Sequence, residues 1–582
     1  MNPTTSHKEA DGIRQHDSSE QGVAEHVDMA AARDSVDSAA RNAIGGDDIE
    51  DLPKRYYWSY KFIGSSIAFA FSYHAQLLGY VFAANVLSIV DADIGPSPQK
   101  IWVLLAYILC QCVTFTIVGR ISDLFGRRYF YLFGSALALI ASIASAKAEN
   151  MNTLIGMSAL NGIASAIQVQ SSITAGELLP NKWRFVGFAR TWVSKTSAGW
   201  RWCYYFLGML AGIAFLLELF CYFPPKFQQL HHNHSFKAAI KSIDYIGLLV
   251  FSGSLASVLL GVSWGGTVYE WASYEVIVTI VVGGVGLICF FLWETFARLE
   301  FPLVPVYLLK NRNYDVLMAC STLGSMIFYA LSVIWPQQIE VLFNASADDI
   351  GWISCTINGG AIAGALVGTI TVKLIGHIKW QLVVACIVFT TFTGAMAAVT
   401  PSTKTMAILF SLISSMGIGY MEIITLVGGP LSVAAKDIGL ASGLQFAVRT
   451  AFDSLADSIY VTILANKVAE NMPKYIIPAV TAAGLSESSA EQLVEAIAAG
   501  NATLVQQVPG ITPAAIEVGE HAAQIAYRES FKIIYLASLA FGGLAVVASL
   551  VMSAKDMQAT MTTKISRRLQ GLEVVPDNEK AN

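Results

Sequence analysis

Four ionisable residues stand where the surrounding sequence offers no water: Arg449, Asp453 and Asp457 in an apolar run near 438–465, and Glu422 in the run before it. Spacings of four put the first three on one helical face, where an arginine can pair with a carboxylate. A second carboxylate held in a dry site can take up and release a proton. Two readings stay open for this group: a proton-exchange site, or a ladder of ion pairs that only packs helices. His74, Gln76, Tyr80 and Asn85 in the first apolar run, and Asn161 in the fourth, are polar candidates for lining a cavity, with His74 expected to pack rather than shuttle protons. His231, His232 and His234 lie beside Lys226 and Lys237 with no carboxylate or cysteine near, so no metal is expected there. The eight cysteines fall within or at the edge of apolar runs, at spacings that fit neither a metal site nor a secreted disulfide framework, and read as packing residues. No nucleophile, base or metal cluster has catalytic spacing, so an enzyme is not expected. The chain also lacks a Gly-x4-Gly-Lys-[Ser/Thr] loop, which argues against ATP. No cofactor is expected, and a proton gradient is the expected energy source.

Such residues need elements that carry them through lipid. Hydrophobic residues make up 54% of the 582-residue chain and charged residues 14%, against roughly 25% charge in an average soluble chain. Apolar runs long enough to cross a hydrocarbon core of about 30 Å recur near 62–90, 99–119, 129–146, 151–179, 202–223, 243–264 and 275–296. They continue near 314–335, 350–372, 380–400, 405–428, 438–465 and 531–553, thirteen in all. The net charge of −5 without a basic block makes nucleic acid an unexpected partner. Residues 1–55 are polar, lack the apolar core of a signal peptide, and read as a disordered cytosolic tail.

Arginines at 120, 127 and 128, with Lys182 and Arg184, orient those loops toward the cytosol. Later basic clusters agree with this orientation if fourteen crossings exist, so one crossing is missing between the fourth run and the next. The 16 residues between Arg184 and Arg201 would rise only about 24 Å as a helix. Arg190 and Lys195 interrupt them at roughly 2.5–3.5 kcal/mol each near the bilayer centre. Either the chain lacks a helix here, or the segment reflects a deletion or a misjoined coding sequence, the second reading being preferred. Outside lies a long loop, 466–529, expected to be helical and solvated, with a capping box at Ser488 and Glu491 and a second helix start at Thr512 and Pro513. Sequons at Asn344 and Asn501 face outward as glycosylation requires, whereas the sequon at Asn233 would face the cytosol if fourteen crossings exist.

The sharpest pattern is Gly119-Arg-Ile-Ser-Asp123-Leu-Phe-Gly126-Arg127-Arg128 between the second and third runs. Its glycines permit a tight turn and close helix approach, Asp123 can sit at a helix N-terminus or accept from an arginine, and the arginines anchor the cytosolic face. This resembles the signature of the major facilitator superfamily in the position where that family carries it. A degenerate echo, Gly368-x4-Lys373-x2-Gly376-His377-Ile-Lys379, falls between two later runs. Gly176-Glu177-Leu-Leu-Pro180-Asn-Lys-Trp183-Arg184 and Thr196-Ser-Ala-Gly199-Trp200-Arg201-Trp202-Cys-Tyr-Tyr205 are similar to the fungal fourteen-span branch that includes trichothecene efflux pumps and, more distantly, siderophore-iron transporters. The resemblance runs from about Tyr57 to Ala554. It departs where that branch has a complete fifth helix with a Gly-Pro pattern, and where Asn161 replaces an arginine of many drug antiporters.

The resemblance implies an all-α polytopic fold, two six-helix bundles related by a pseudo-repeat around a cavity that opens to either side in turn. Expected divisions are a tail at 1–55, a first bundle at 56–241, two linker spans with a cytosolic loop at 242–313, a second bundle at 314–553 and a cytosolic tail at 554–582. Glu177 and Arg184, near the Asp123 loop, are candidates for an inner gate or for ordinary surface pairing. The implied activity is proton-coupled efflux of a fungal secondary metabolite, a trichothecene-like mycotoxin, by a monomer in the plasma membrane or, alternatively, in a vacuole or vesicle membrane. The alternatives are import of ferric siderophore, and a non-transporting receptor or scaffold on the same fold. The expected partners are a small organic substrate and the lipid bilayer.

Overall fold

The computed structural model describes residues 58–95, 97, 100, 102–125, 127–178, 200–224, 244–266, 269–297, 304, 307–433, 437–498 and 502–553. Both tails, Gly126, Arg184 with its neighbours Arg190 and Lys195, the three histidines at 231–234 and the sequons at Asn233 and Asn501 lie outside them.

Thirteen long helices overlie the thirteen apolar runs. They are α1 (Tyr60–Ile94), α2 (Trp102–Phe125), α3 (Arg127–Ala146), α4 (Met151–Leu178), α5 (Arg201–Cys221), α6 (Tyr245–Trp264), α7 (Tyr274–Phe296), α8 (Arg312–Phe343), α9 (Ala347–Ile375), α10 (Ile378–Ala395), α11 (Lys404–Leu431), α12 (Ile438–Ala482) and, after two short helices, α15 (Pro513–Val551). The short ones are α13 (Glu487–Ala498) and α14 (Ala502–Gln506). Ten of the thirteen are long and apolar enough to cross a membrane by length and composition. Helices α4 and α12 carry Asn161 and the Arg449, Asp453 and Asp457 group, polar residues that lower their hydropathy. At the other extreme, α7 leaves Ile277, Val281, Val285, Ile288 and Leu292 exposed, a surface that only hydrocarbon satisfies.

Helices α1 to α5 pack on one another, α4 lying against α1, α2 and α3, and α5 against α1 and α3. A second group forms from α8 to α12 with α15, in which α11 packs on α8, α9 and α10, and α15 on α8, α10 and α12. Helices α6 and α7 pair with each other, and α6 also touches α2 and α12. The two groups meet where α2 lies along α12. There Phe115 stacks on Phe446 with ring centroids 5.2 Å apart, and the Cys112 thiol donates to the Ala447 carbonyl at 3.3 Å. The helices approach to backbone contact at two glycines. A Cβ on Gly119 would sit 2.6 Å from the Gly439 carbonyl oxygen, and one on Gly443 would sit 2.6 Å from that of Phe115.

Contacts at both ends of α5 give its direction. The Trp200 indole and Arg201 guanidinium donate to Asp93 at 3.0 and 2.6 Å, beside the end of α1. At the other end Arg128 donates to the Leu219 carbonyl at 3.0 Å and stacks over Phe223 at 3.9 Å, beside the start of α3. Helix α4 connects the same two levels, since Leu154 packs with Trp200 and Val90, while Val169 packs with Phe115 and Ile438. From Leu154 to Leu178 is about 36 Å at 1.5 Å per residue. Leu178 and Trp200 therefore lie at opposite faces, and everything from α5 onward keeps the orientation that the basic clusters require rather than an inverted one. A fourteenth long helix is not among the described residues.

Beyond the membrane on the outer side, α12 continues to Ala482 and α15 begins at Pro513, well before the expected start near 531. Together with α13 and α14 they enclose Met472, Ile476, Val480, Leu493 and Val508. The outer loop is thus helical as expected, but it has a core of its own. Thr512 caps α15, its hydroxyl accepting from Ala515 at 3.2 Å, with Pro513 in the first turn. The cap of α13 is a correction: Ser486, not Ser488, accepts from the backbone N–H three residues on, that of Ser489, at 3.3 Å. The left-handed turn at Gly484 ends two residues earlier than the capping-box pattern requires, so Ser488 is already helical.

Candidate functional site

Three helices bring the charged residues together at the seam between the two groups. Arg449 on α12 pairs with Glu422 of α11 at 3.1 Å and with Asp453, one turn further on, at 3.8 Å. Ser325 of α8 donates to the other oxygen of Asp453 at 2.5 Å. Asp453 is only 6% exposed, so its two partners replace the water it has lost. Glu422 makes the shorter of the two arginine contacts.

Asp457 stands apart from this ladder. Its carboxylate lies near the Tyr80 hydroxyl of α1, in the other group, and its Oδ1 has no hydrogen-bond partner among the described residues. The Tyr80 ring lies edge-on to Tyr329 of α8 and tilted to Tyr107 of α2, with centroids 6.0 Å away in both cases. A carboxylate of the second group and a phenol of the first thus meet across the seam. Ser325, Tyr107 and Tyr329 carry no sequence signal that separates them from other residues in apolar runs.

The remaining cavity candidates divide. Gln76 and Asn161 line one small cavity inside the first group, about 10 Å³ in volume, room for about one water. Asn161 also ties α4 to α3, accepting from Ser142 at 3.2 Å and donating to Ser145 at 3.3 Å. His74 makes a 2.6 Å hydrogen bond with the Ala70 carbonyl of its own helix, in keeping with a packing residue. Asn85 lies further along α1, towards the outer end.

Glu218 is a residue that sequence reasoning missed. It is 1% exposed on α5 and accepts from Ser72 of α1 and Ser135 of α3, each at 2.9 Å. One carboxylate thereby joins three helices. The signal was available, since an acidic residue inside an apolar run is the same cue that marked Glu422.

At the cytosolic end, Gly119 makes the backbone approach described above, Arg127 is buried at 2% exposure, and Arg128 caps the end of α5. Asp123 lies in the last turn of α2 and Glu177 in the last turn of α4. The pairing of Glu177 with Arg184, like Gly126 in the signature loop, falls outside the described residues. Asn344 ends α8 in the left-handed conformation at φ 44° and is exposed, on the outer side where its sequon requires it. Asn501 is outside the described residues. No cluster of three metal-ligating side chains occurs among the described residues.

Long apolar helices in two packed groups, with a charged and aromatic seam between them, define a polytopic α-helical membrane protein. A family model of the fungal trichothecene efflux pump (TRI12) matches residues 23–573, and the chain belongs to that family, within the major facilitator class. It is 27% identical over 540 residues to the trichothecene efflux pump TRI12 of Fusarium sporotrichioides, covering 89% of this chain and 90% of that one. It is 28% identical over 558 residues to the MFS-type transporter prx5 of Penicillium rubens, covering 91% and 98%. Among solved structures, the human organic anion transporter MFSD10 (TETRAN) aligns with 84% of this chain and 100% of its own at a TM-score of 0.46 and 11% identity.

Proposed function

We propose that this transporter exports a small fungal secondary metabolite of the trichothecene kind across the plasma membrane, in exchange for protons bound at Asp457 and Asp453. The observation that carries the reading is Asp457, a carboxylate at membrane depth with one unpartnered oxygen, facing Tyr80 of the opposite group. Arg449 brings one positive charge to Glu422 and Asp453, so the cluster holds more negative charge than it neutralises even before Asp457 is counted. A proton on Asp457 removes a charge that is costly in the closed seam and turns the acceptor facing Tyr80 into a donor. Release of that proton on the other side separates the groups again, which is the coupling that exchange needs. One proton suffices energetically: moving its charge through 100 mV releases about 2.3 kcal/mol, close to the roughly 2.7 kcal/mol of a hundredfold gradient of neutral solute.

The test uses purified protein in vesicles with an imposed pH gradient. Asp457→Asn is expected to abolish gradient-driven flux of a labelled trichothecene while keeping gradient-independent exchange. Flux that still follows the gradient in this variant would remove Asp457 from the coupling. In the source fungus, a disruption strain sensitised to its own metabolite supports export, whereas growth failure confined to low iron would favour siderophore import.

A further inference from the structure

Helices α6 and α7 belong to neither packed group, and they form one body. They approach so closely that a Cβ on Gly283 of α7 would lie 2.6 Å from the Ser254 carbonyl oxygen of α6. At the cytosolic end Asp244 caps α6 through the Gly247 N–H at 2.8 Å and also accepts from the Trp293 indole of α7 at 3.0 Å. This hairpin lies across the seam. Phe251, Leu255 and Leu259 of α6 form one buried cluster with Cys112 of α2 and with Ala441 and Leu444 of α12, while Ile246 and Leu249 of the same helix are exposed. Any motion that parts α2 from α12 must therefore part the hairpin from one of them.

The attachments to the two sides differ in kind. Toward α2 they are apolar side chains: besides the cluster at Cys112, the Trp264 ring stands edge-on to Trp102 with centroids 6.1 Å apart. Toward the second group the connecting chain itself is fixed. Glu294, buried near the end of α7, accepts from the Val304 N–H at 3.2 Å. Val304 and Leu308 then enter the cluster beside Tyr314, Ala441 and Leu444. The next four residues bind the cytosolic ends of three helices of the second group. Asn311 donates to the Ser432 carbonyl after α11 at 2.5 Å, Arg312 and Asn313 to the Val551 and Ser553 carbonyls at the end of α15 at 2.7 and 3.3 Å, and Tyr314 to the Ala441 carbonyl of α12 at 2.7 Å. At the outer end of α6, a Cβ on Gly266 would lie 3.2 Å from Thr462 of α12. Apolar burial is non-directional, so α6 can slide along α2 and keep it. A hydrogen bond is lost when its partner moves by about 1 Å.

We infer that the α6–α7 hairpin is part of the second moving body, fastened to it through residues 304–314, and acts as a strap that slides over α2 and keeps the seam covered on its outer flank. Glu294 and Leu308 are the positioning residues of this attachment. The inference rests on the transport reading above for the motion of the two groups.

Distances between pairs of spin labels test it, in a cysteine-free full-length protein in nanodiscs. Tyr129 at the start of α3, Phe296 at the end of α7 and His377 between α9 and α10 are exposed. They stand for the first group, the hairpin and the second group. On acidification, with or without an added trichothecene, the Tyr129–His377 and Tyr129–Phe296 distances are expected to shift together while Phe296–His377 keeps one narrow peak. A shift in Phe296–His377, whether alone or with Tyr129–Phe296, would overturn the strap. If Tyr129–His377 does not shift under any of these conditions, the exchange reading fails, and the attachment is read from Glu294→Ala combined with Leu308→Ala. In that variant Phe296–His377 should lose its single peak and Tyr129–His377 should keep its own, and an unchanged Phe296–His377 peak would refute the attachment. Leu308→Ala alone decides the matter if the double variant does not fold.

Discussion

Replacing Gly443 by alanine should open the seam at the cytosolic end. The new Cβ would lie 2.6 Å from the Phe115 carbonyl oxygen and 3.1 Å from the Gly119 Cα, where ordinary contact begins near 3.4 Å. Both nearest atoms are backbone, so no side chain can swing away and α2 must separate from α12 by about 0.8 Å, the difference between 3.4 and 2.6 Å. Overpacking of this kind costs about 1–3 kcal/mol. The cost falls only on the arrangement in which α2 touches α12, so the balance should shift toward the opened arrangement by about 5- to 150-fold. Cys112 reports on this directly: it is fully buried at the seam with its thiol on the Ala447 carbonyl. In a protein keeping Cys112 as its single cysteine, the rate of labelling by a membrane-permeant maleimide should rise by that factor in Gly443→Ala. Gly156→Ala is the control, since a Cβ there meets nothing within 4 Å. An unchanged rate in Gly443→Ala, or the same rise in Gly156→Ala, would refute the argument that backbone contact holds this face shut.

Two further outcomes follow from the outer and inner ends of the first helical group. Glu218→Leu should destabilise the detergent-purified protein by about 1–3 kcal/mol, the cost of leaving buried hydroxyls without an acceptor. Glu218→Gln should lose less, and a normal thermal midpoint for the leucine variant would mean that Ser72 and Ser135, 3.5 Å apart, satisfy each other. At the outer end, Asp93 lies past the apolar run 62–90 and is exposed. The Trp200 indole N–H and then the Arg201 guanidinium hold its carboxyl below the usual range, so the clasp on α5 contributes above the unfolded pKa, about 3.9. That contribution disappears as pH falls through the lower folded value. Protection of the amides around Trp200, taken relative to the intrinsic exchange rate at each pH, should therefore stay constant from neutral pH and fall only below about pH 4, while Asp93→Asn should be less protected throughout; an onset near pH 6 would point to a different group.

The sequence by itself determined that the chain crosses a membrane many times and that thirteen long helices lie over its thirteen apolar runs. These follow from transfer free energy, a property of composition summed over about 20 residues. It also determined the signature loop and the shared face of Arg449, Asp453 and Asp457, because a helical repeat fixes neighbours three or four residues apart. Only the tertiary structure decided that Glu422, 27 residues before Arg449, is its closer partner, that Asp457 meets Tyr80 rather than the arginine, and that Glu218 gathers serines from two other helices. It likewise decided that α5 descends from the outer face. Each of these depends on how far a helix is rotated about its axis and at what depth it sits against its neighbour. Periodicity leaves both free, and they are settled by packing between residues distant in sequence.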